Sequence, residues 1–236
     1  MAIHSLFDLL ALLVAVAVYQ LLPVAADGAP TEPWQVHPLY IAAGAGGATI
    51  GAYLFGSANL WLSGMPAAIS RSIEGAIAGA IVGIELLKWR SGIRGSTGLR
   101  LVAPLAAAIA IGRLGCFFAG LDDMTYGTPT ALPWAVDFGD GVRRHPVQLY
   151  EAVTMAAFLF AFIFLLRHEG EWVRRTGFYL FVAVYALQRF GWEFLKPYGT
   201  IIGPLNLFHL LSLALIAYAA VFACRELSQP CRYRPS

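Results

Sequence analysis

"VYALQRFGWEFL", residues 184–195, is an apolar run that nevertheless holds Arg189 and Glu193. Tyr185, Arg189 and Glu193 stand at i, i+4 and i+8, so on a helix they share one face. The rest of the run avoids water. A charge at mid-bilayer costs at least about 2.5–3.5 kcal/mol on insertion scales, so such residues turn toward the protein interior and find partners. The stretch therefore reads as a membrane-spanning helix with a polar stripe facing inward. Arg189 and Glu193 are spaced to pair, and Tyr185 can donate its hydroxyl. A pair of this kind serves either a functional site or a lock between helices.

The whole chain agrees with that reading. Of its 236 residues 58% are hydrophobic and 13% charged, where a soluble domain carries about 25% charged residues. The formal net charge is +2, and no basic patch with interleaved aromatics occurs, which excludes a nucleic-acid partner. The cysteines are Cys116, Cys224 and Cys231, without a CxxC. That argues against a disulfide framework and gives no zinc-type spacing. A membrane-spanning helix needs about 20 mostly apolar residues. Seven segments qualify, at roughly 5–25, 38–62, 67–88, 99–120, 147–166, 174–195 and 203–224. The expected fold is an all-α integral membrane protein, one seven-helix domain over residues 1–236, among membrane lipids.

Basic residues set the orientation. The connections after spans three and five and the C-terminal tail hold ten: Lys88, Arg90, Arg94, Arg100, Arg167, Arg174, Arg175, Arg225, Arg232 and Arg234. The opposite side holds four, Arg71, Arg143, Arg144 and Lys196. The C-terminus is expected in the cytoplasm and the N-terminus outside. The long connection 121–146 then falls on the outer side between helices 4 and 5. Its "WAVDF" alternates like a short strand and its "GDG" signals a turn, which suits an ordered cap. Asp122, Asp123 and Asp137 there read as solvated carboxylates rather than cation ligands. In span three, Gly75, Gly79 and Gly83 are four apart; they let another helix approach closely, with glycine-rich span two the natural partner. Glu85 and Lys88 read as an interfacial pair.

A second buried arginine, Arg113, lies in "AIGRLGCF" between Gly112 and Gly115. These glycines let a lipid headgroup or a backbone approach the guanidinium. Glu74 opens span three and Glu151 follows "RHPVQLY" in span five. With Glu193, three glutamates are available as counter-ions. Alternatively one arginine is kept for a phosphate, which suits its bidentate fork.

In order along the chain, "GRLGCFFAG", "YGTPTALPWAVDF", "RHPVQLYEA" and "YALQRFGWEFLKP" resemble the motif series of the prolipoprotein diacylglyceryl transferase family, over about residues 70–215. The resemblance implies a seven-span protein of the bacterial cytoplasmic (inner) membrane. Its expected activity moves the diacylglyceryl group of phosphatidylglycerol to the lipobox cysteine thiol of a prolipoprotein, with glycerol phosphate leaving. It also implies site residues. Arg113 matches the phospholipid arginine, with Gly112 and Gly115 beside it. Tyr185, Arg189 and Glu193 match a sixth-span triad, and His145 and Glu151 match "RHP…YE". No metal or cofactor is expected.

The chain also departs from the family's pattern. "SIEGAIAG" stands where an "HGG" histidine is usual, with Glu74 at its place, and Cys116 stands for an asparagine. The family's "GE" acid falls on Leu121, Asp122 or Asp123. Glu74 is open to two roles, replacement base or counter-ion, and His145 to base or loop donor. His209 in span seven reads as a packing histidine and Cys116 as a small buried residue. The alternatives are an enzyme that uses phosphatidylglycerol with another acceptor and a non-catalytic lipid-binding or transport protein.

Overall fold

The structure is a computed structural model that describes residues 2–22, 38–64, 69–168 and 170–228. Among these are seven long helices: α1 (Ala2–Leu21), α2 (Pro38–Leu62), α3 (Ile73–Ser91), α4 (Leu99–Ala119), α5 (Val147–His168), α6 (Gly170–Glu193) and α7 (Leu207–Ser228). The end of the first expected span, the start of the third, and Cys231, Arg232 and Arg234 lie outside the described residues. Five helices, α1, α2, α4, α5 and α7, are long and apolar enough to cross a membrane. The other two carry more charge: α3 holds Glu74, Glu85, Lys88 and Arg90, and α6 holds Glu171, Arg174, Arg175, Arg189 and Glu193.

Large apolar side chains cover the outside of the bundle. Leu6, Leu9, Leu12 and Leu13 on α1 and Val153, Phe160 and Phe164 on α5 are exposed. Patches of that extent mark a lipid-facing surface. The core is built from Val102, Ala103 and Ala106 of α4, Met155 and Phe162 of α5, and Phe181, Val182 and Tyr185 of α6.

The glycines of α3 do meet α2. A Cβ at Gly79 would lie 2.1 Å from the carbonyl oxygen of Gly47, and one at Gly75 2.4 Å from that of Gly51. The two backbones touch along a seam that only glycine permits. Helix α3 begins at Ile73, six residues after the expected start. Ser72 is its N-cap, and its hydroxyl accepts a hydrogen bond from Gly75 N at 3.1 Å. At the other end of α3 Lys88 pairs with Glu85 at 2.8 Å.

The 121–146 connection opens with a 3₁₀ turn over Gly120–Asp123. It continues into a small antiparallel ladder, β1 (Val136–Asp137) against β2 (Arg143–Arg144). The expected strand and turn are both present. The Asp137 carboxylate accepts from Gly139 N and Gly141 N at 2.8 and 3.1 Å, which closes the turn. Thr128 N donates to Leu195 O at 2.6 Å and the Tyr198 hydroxyl to Met124 O at 2.9 Å, so the connection is tied to the segment that follows α6.

Candidate functional site

Five helices meet at one side of the bundle, and each brings polar atoms into the core. Helix α3 supplies Glu74 in its first turn, α4 supplies Arg113, α5 supplies Glu151, and α6 supplies Arg189 and Glu193. All five are at most 5% exposed, so each charge must be met within the protein.

Glu151 is the hub. One carboxylate oxygen lies 2.6 Å from Arg113 Nε, the other 2.7 Å from Arg189 Nη1 and 2.9 Å from Lys196 Nζ. Arg189 also reaches Glu193 at 2.9 Å through Nη2, and Glu74 at 3.3 Å through Nε. Its guanidinium stacks over Phe208 of α7, 5.0 Å from the ring centre. The Ser212 hydroxyl donates to Glu74 at 2.6 Å, and the Asn206 amide donates to Glu193 at 3.0 Å. The i, i+4 pair expected within α6 is formed, and Arg113 and Arg189 converge on a single carboxylate. Among the described residues the cluster holds three carboxylates, Glu74, Glu151 and Glu193, and three cations, Arg113, Arg189 and Lys196. Their formal charges cancel.

Several buried polar atoms at this end meet no hydrogen-bonding partner among the described residues. They include the Tyr185 hydroxyl, one turn below Arg189, and the side-chain amides of Asn59 and Gln148. Tyr185 is therefore on the expected face with its donor free.

Two residues singled out from sequence have neighbours of their own. His145 Nδ1 lies 3.3 Å from the Tyr150 hydroxyl, and its backbone accepts from Gly127 N. A Cβ at Gly115 would lie 2.5 Å from Phe7 Cβ, so the missing side chain makes room for α1. Gly112, by contrast, has nothing within 4 Å of where its Cβ would stand.

Three cluster residues were not singled out from sequence: Lys196, Asn206 and Ser212. Lys196 reads as a loop cation but is 4% exposed; its spacing of three from Glu193 was the available signal. Asn206, His209 and Ser212 recur every three residues, a polar stripe at the start of α7. His209 is buried, with Nδ1 3.0 Å from Asn206 Oδ1, while its Nε2 meets no partner among the described residues.

Beside the cluster an apolar cavity of about 210 Å³ runs along α3 from Ile73, the neighbour of Glu74, to Glu85. Its other walls include Leu105 and Ile109 of α4 and Phe181 of α6, and Ser96, Thr97 and Tyr218 stand at its far end. Outside the membrane-spanning helices, burial pushes the Tyr198 phenol above its ordinary pKa. The hydrogen bonds from Arg144 hold the Asp140 carboxyl below its ordinary value.

Curated relatives carry the same kind of name. A protein of Geobacter sulfurreducens called phosphatidylglycerol–prolipoprotein diacylglyceryl transferase is 32% identical over 192 residues, covering 75% of this chain and 71% of its own length. One of that name from Methylocella silvestris is 34% identical over 169 residues, covering 67% of this chain and 58% of its own length. A third, from Nitratidesulfovibrio vulgaris, is 34% identical over 141 residues and is covered over 49% of its length. No solved structure matches the chain. The apolar helices and this kinship mark a multi-pass membrane protein. With the family's own model matching residues 2–225, the chain belongs to the prolipoprotein diacylglyceryl transferase family.

Proposed function

We propose that this chain transfers the diacylglyceryl group of phosphatidylglycerol to the lipobox cysteine thiol of a prolipoprotein. The observation that carries the reading is the convergence of Arg113 and Arg189 on the two oxygens of one carboxylate. Two guanidinium forks that share one small anion present the geometry a phosphate diester requires. The apolar cavity that begins beside Glu74 suits an acyl chain.

The acceptor sulfur attacks the glycerol carbon that bears the phosphate. A C–S bond forms, the C–O bond breaks, and the electron pair leaves on the phosphate oxygen as glycerol phosphate. Negative charge grows on that oxygen, and Arg113 and Arg189 stabilise it in a site that excludes water. Tyr185 donates its free hydroxyl to the same group, and the open space at Gly112 lets the headgroup reach Arg113. Glu151 and Glu193 hold the arginines in place. The thiol must lose its proton, and Glu74 is the base we assign. Its contact with Arg189 is 3.3 Å, against 2.6–2.9 Å for the shortest arginine contacts of Glu151 and Glu193, so it is the carboxylate least committed to an arginine. His145 acts from the loop, outside the reacting group.

In this reading all seven helices cross the bacterial cytoplasmic (inner) membrane as one domain. The N-terminus is outside, the C-terminus in the cytoplasm, and the 121–146 connection lies over the site. The bias of basic residues supports that orientation. The buried charges of α3 and α6, Glu74, Arg189 and Glu193, are compatible with spanning because they pair inside the protein.

Purified protein incubated with labelled phosphatidylglycerol and a lipobox peptide should yield the thioether. Arg113→Ala and Arg189→Ala should abolish transfer in the fraction recovered folded; if both remain active, the phosphate assignment is wrong. The cancelling charges of the cluster favour a second reading, a lipid-binding lock between helices. Bound lipid without turnover would support it. Glycerol phosphate release without peptide modification would instead indicate another acceptor.

A further inference from the structure

A second cluster lies at the same end of the bundle, where α1 meets α4. His4 of α1, Cys116 of α4 and Asp123 of the 3₁₀ turn each present one ligand atom, all within 4.8 Å of one another. His4 Nε2 is 3.1 Å from Asp123 Oδ1 and 3.8 Å from Cys116 Sγ. Its other nitrogen, Nδ1, is 3.1 Å from Asp8 Oδ2. Arg113 Nη1 lies 4.0 Å from the sulfur, and the Thr125 hydroxyl donates to the second oxygen of Asp123 at 2.5 Å.

His4 Nε2, Cys116 Sγ and Asp123 Oδ1 face one another across a space the size of one ion. Imidazole, thiolate and carboxylate together are a borderline-soft donor set suited to zinc and not to magnesium or calcium.

We propose that His4 Nε2, Cys116 Sγ and Asp123 Oδ1 bind one zinc ion, with water in the fourth position and Asp8 as the carboxylate that orients His4. The two separations from His4 agree. Tetrahedral zinc at ordinary bond lengths sets nitrogen and sulfur roughly 3.6 Å apart and nitrogen and oxygen roughly 3.4 Å apart. The observed 3.8 and 3.1 Å need only small adjustments. Charge agrees as well: thiolate and carboxylate neutralise the dication, Arg113 keeps Glu151, and its Nη1 faces the thiolate as an outer-shell donor. A carboxylate behind a ligating histidine is the usual outer-shell arrangement. Sequence alone gives no sign of the site because its ligands come from three separate elements. The ion fastens α1, which packs chiefly on α4, to the outer connection.

The test uses the full chain in detergent with Cys224→Ser and Cys231→Ser, which leaves Cys116 as the sole thiol. After removal of metal by a chelator, the protein is titrated with cobalt(II) and, separately, with zinc. The expected result is a thiolate-to-cobalt charge-transfer band that saturates at one equivalent and is displaced by zinc. Further substitution of Cys116→Ala or His4→Gln should remove the band, and Asp8→Asn should weaken zinc binding about 10–100-fold. No band in the folded parent, or a band that survives Cys116→Ala, overturns the proposal. Should Cys116→Ala fail to fold, protection of Cys116 from alkylation by one equivalent of zinc in the parent takes its place, and unprotected alkylation overturns the proposal.

Discussion

Residue by residue, the cluster shows which of its members a sequence can announce. Arg189 and Glu193 were legible because a partner four residues away on the same helix needs only helical geometry. Lys196 was not, because its chief partner Glu151 is 45 positions distant and the residue looks like any cation after a helix end. Its burial has a measurable consequence. Replacing Lys196 with Met leaves a buried carboxylate with one cation fewer, which should cost about 3–5 kcal/mol; an unchanged midpoint of unfolding in detergent would return Lys196 to the surface. Glu74→Gln keeps the shape and the Ser212 contact but removes the proposed base. Transfer should fall about 10²–10⁴-fold, and near-normal turnover would make Glu74 a counter-ion only.

At the level of elements, apolar run length located α2 and α5 well, because in lipid the length of the run is itself the constraint. Helix α3 began later than expected because residues 69–72 are permissive in composition yet not helical, and Ser72, extended, sets the start through its side chain. The glycine repeat was readable because close helix approach leaves few alternatives. Gly79→Val should therefore separate α2 from α3 and sharply lower thermal stability, since its Cβ would fall 2.1 Å from a carbonyl oxygen. Gly46→Ala is the control: nothing lies within 4 Å of that Cβ, and a helical alanine should be neutral or stabilising by up to about 1 kcal/mol. The β1–β2 hairpin has a pH signature. Asp140 is held below its ordinary value of 3.8 by Arg144, so its contribution to the hairpin is complete above that pH and disappears as pH falls through the depressed value. Amide exchange in the 136–144 segment should accelerate only in that acid window, and Asp140→Asn should remove the dependence.

For the whole molecule, charge is the governing quantity. The seven-segment outline followed from composition, but the cancellation of three carboxylates against three cations could not, because it depends on five segments converging. Cancellation predicts a linked proton. An anionic phospholipid adds negative charge to a neutral, water-poor site, so binding should take up close to one proton, and calorimetry in buffers of different ionisation enthalpy would measure it. Zero uptake would mean that a carboxylate moves out to water instead. Glu151 sets the terms of entry. A side chain already seated between two forks is a plug as well as a brace, and any visiting anion competes with an occupant that never dissociates. Tight association by the ground-state lipid is thereby discouraged, and the forks are left free to grip most firmly when the visitor carries more charge than the plug it displaces.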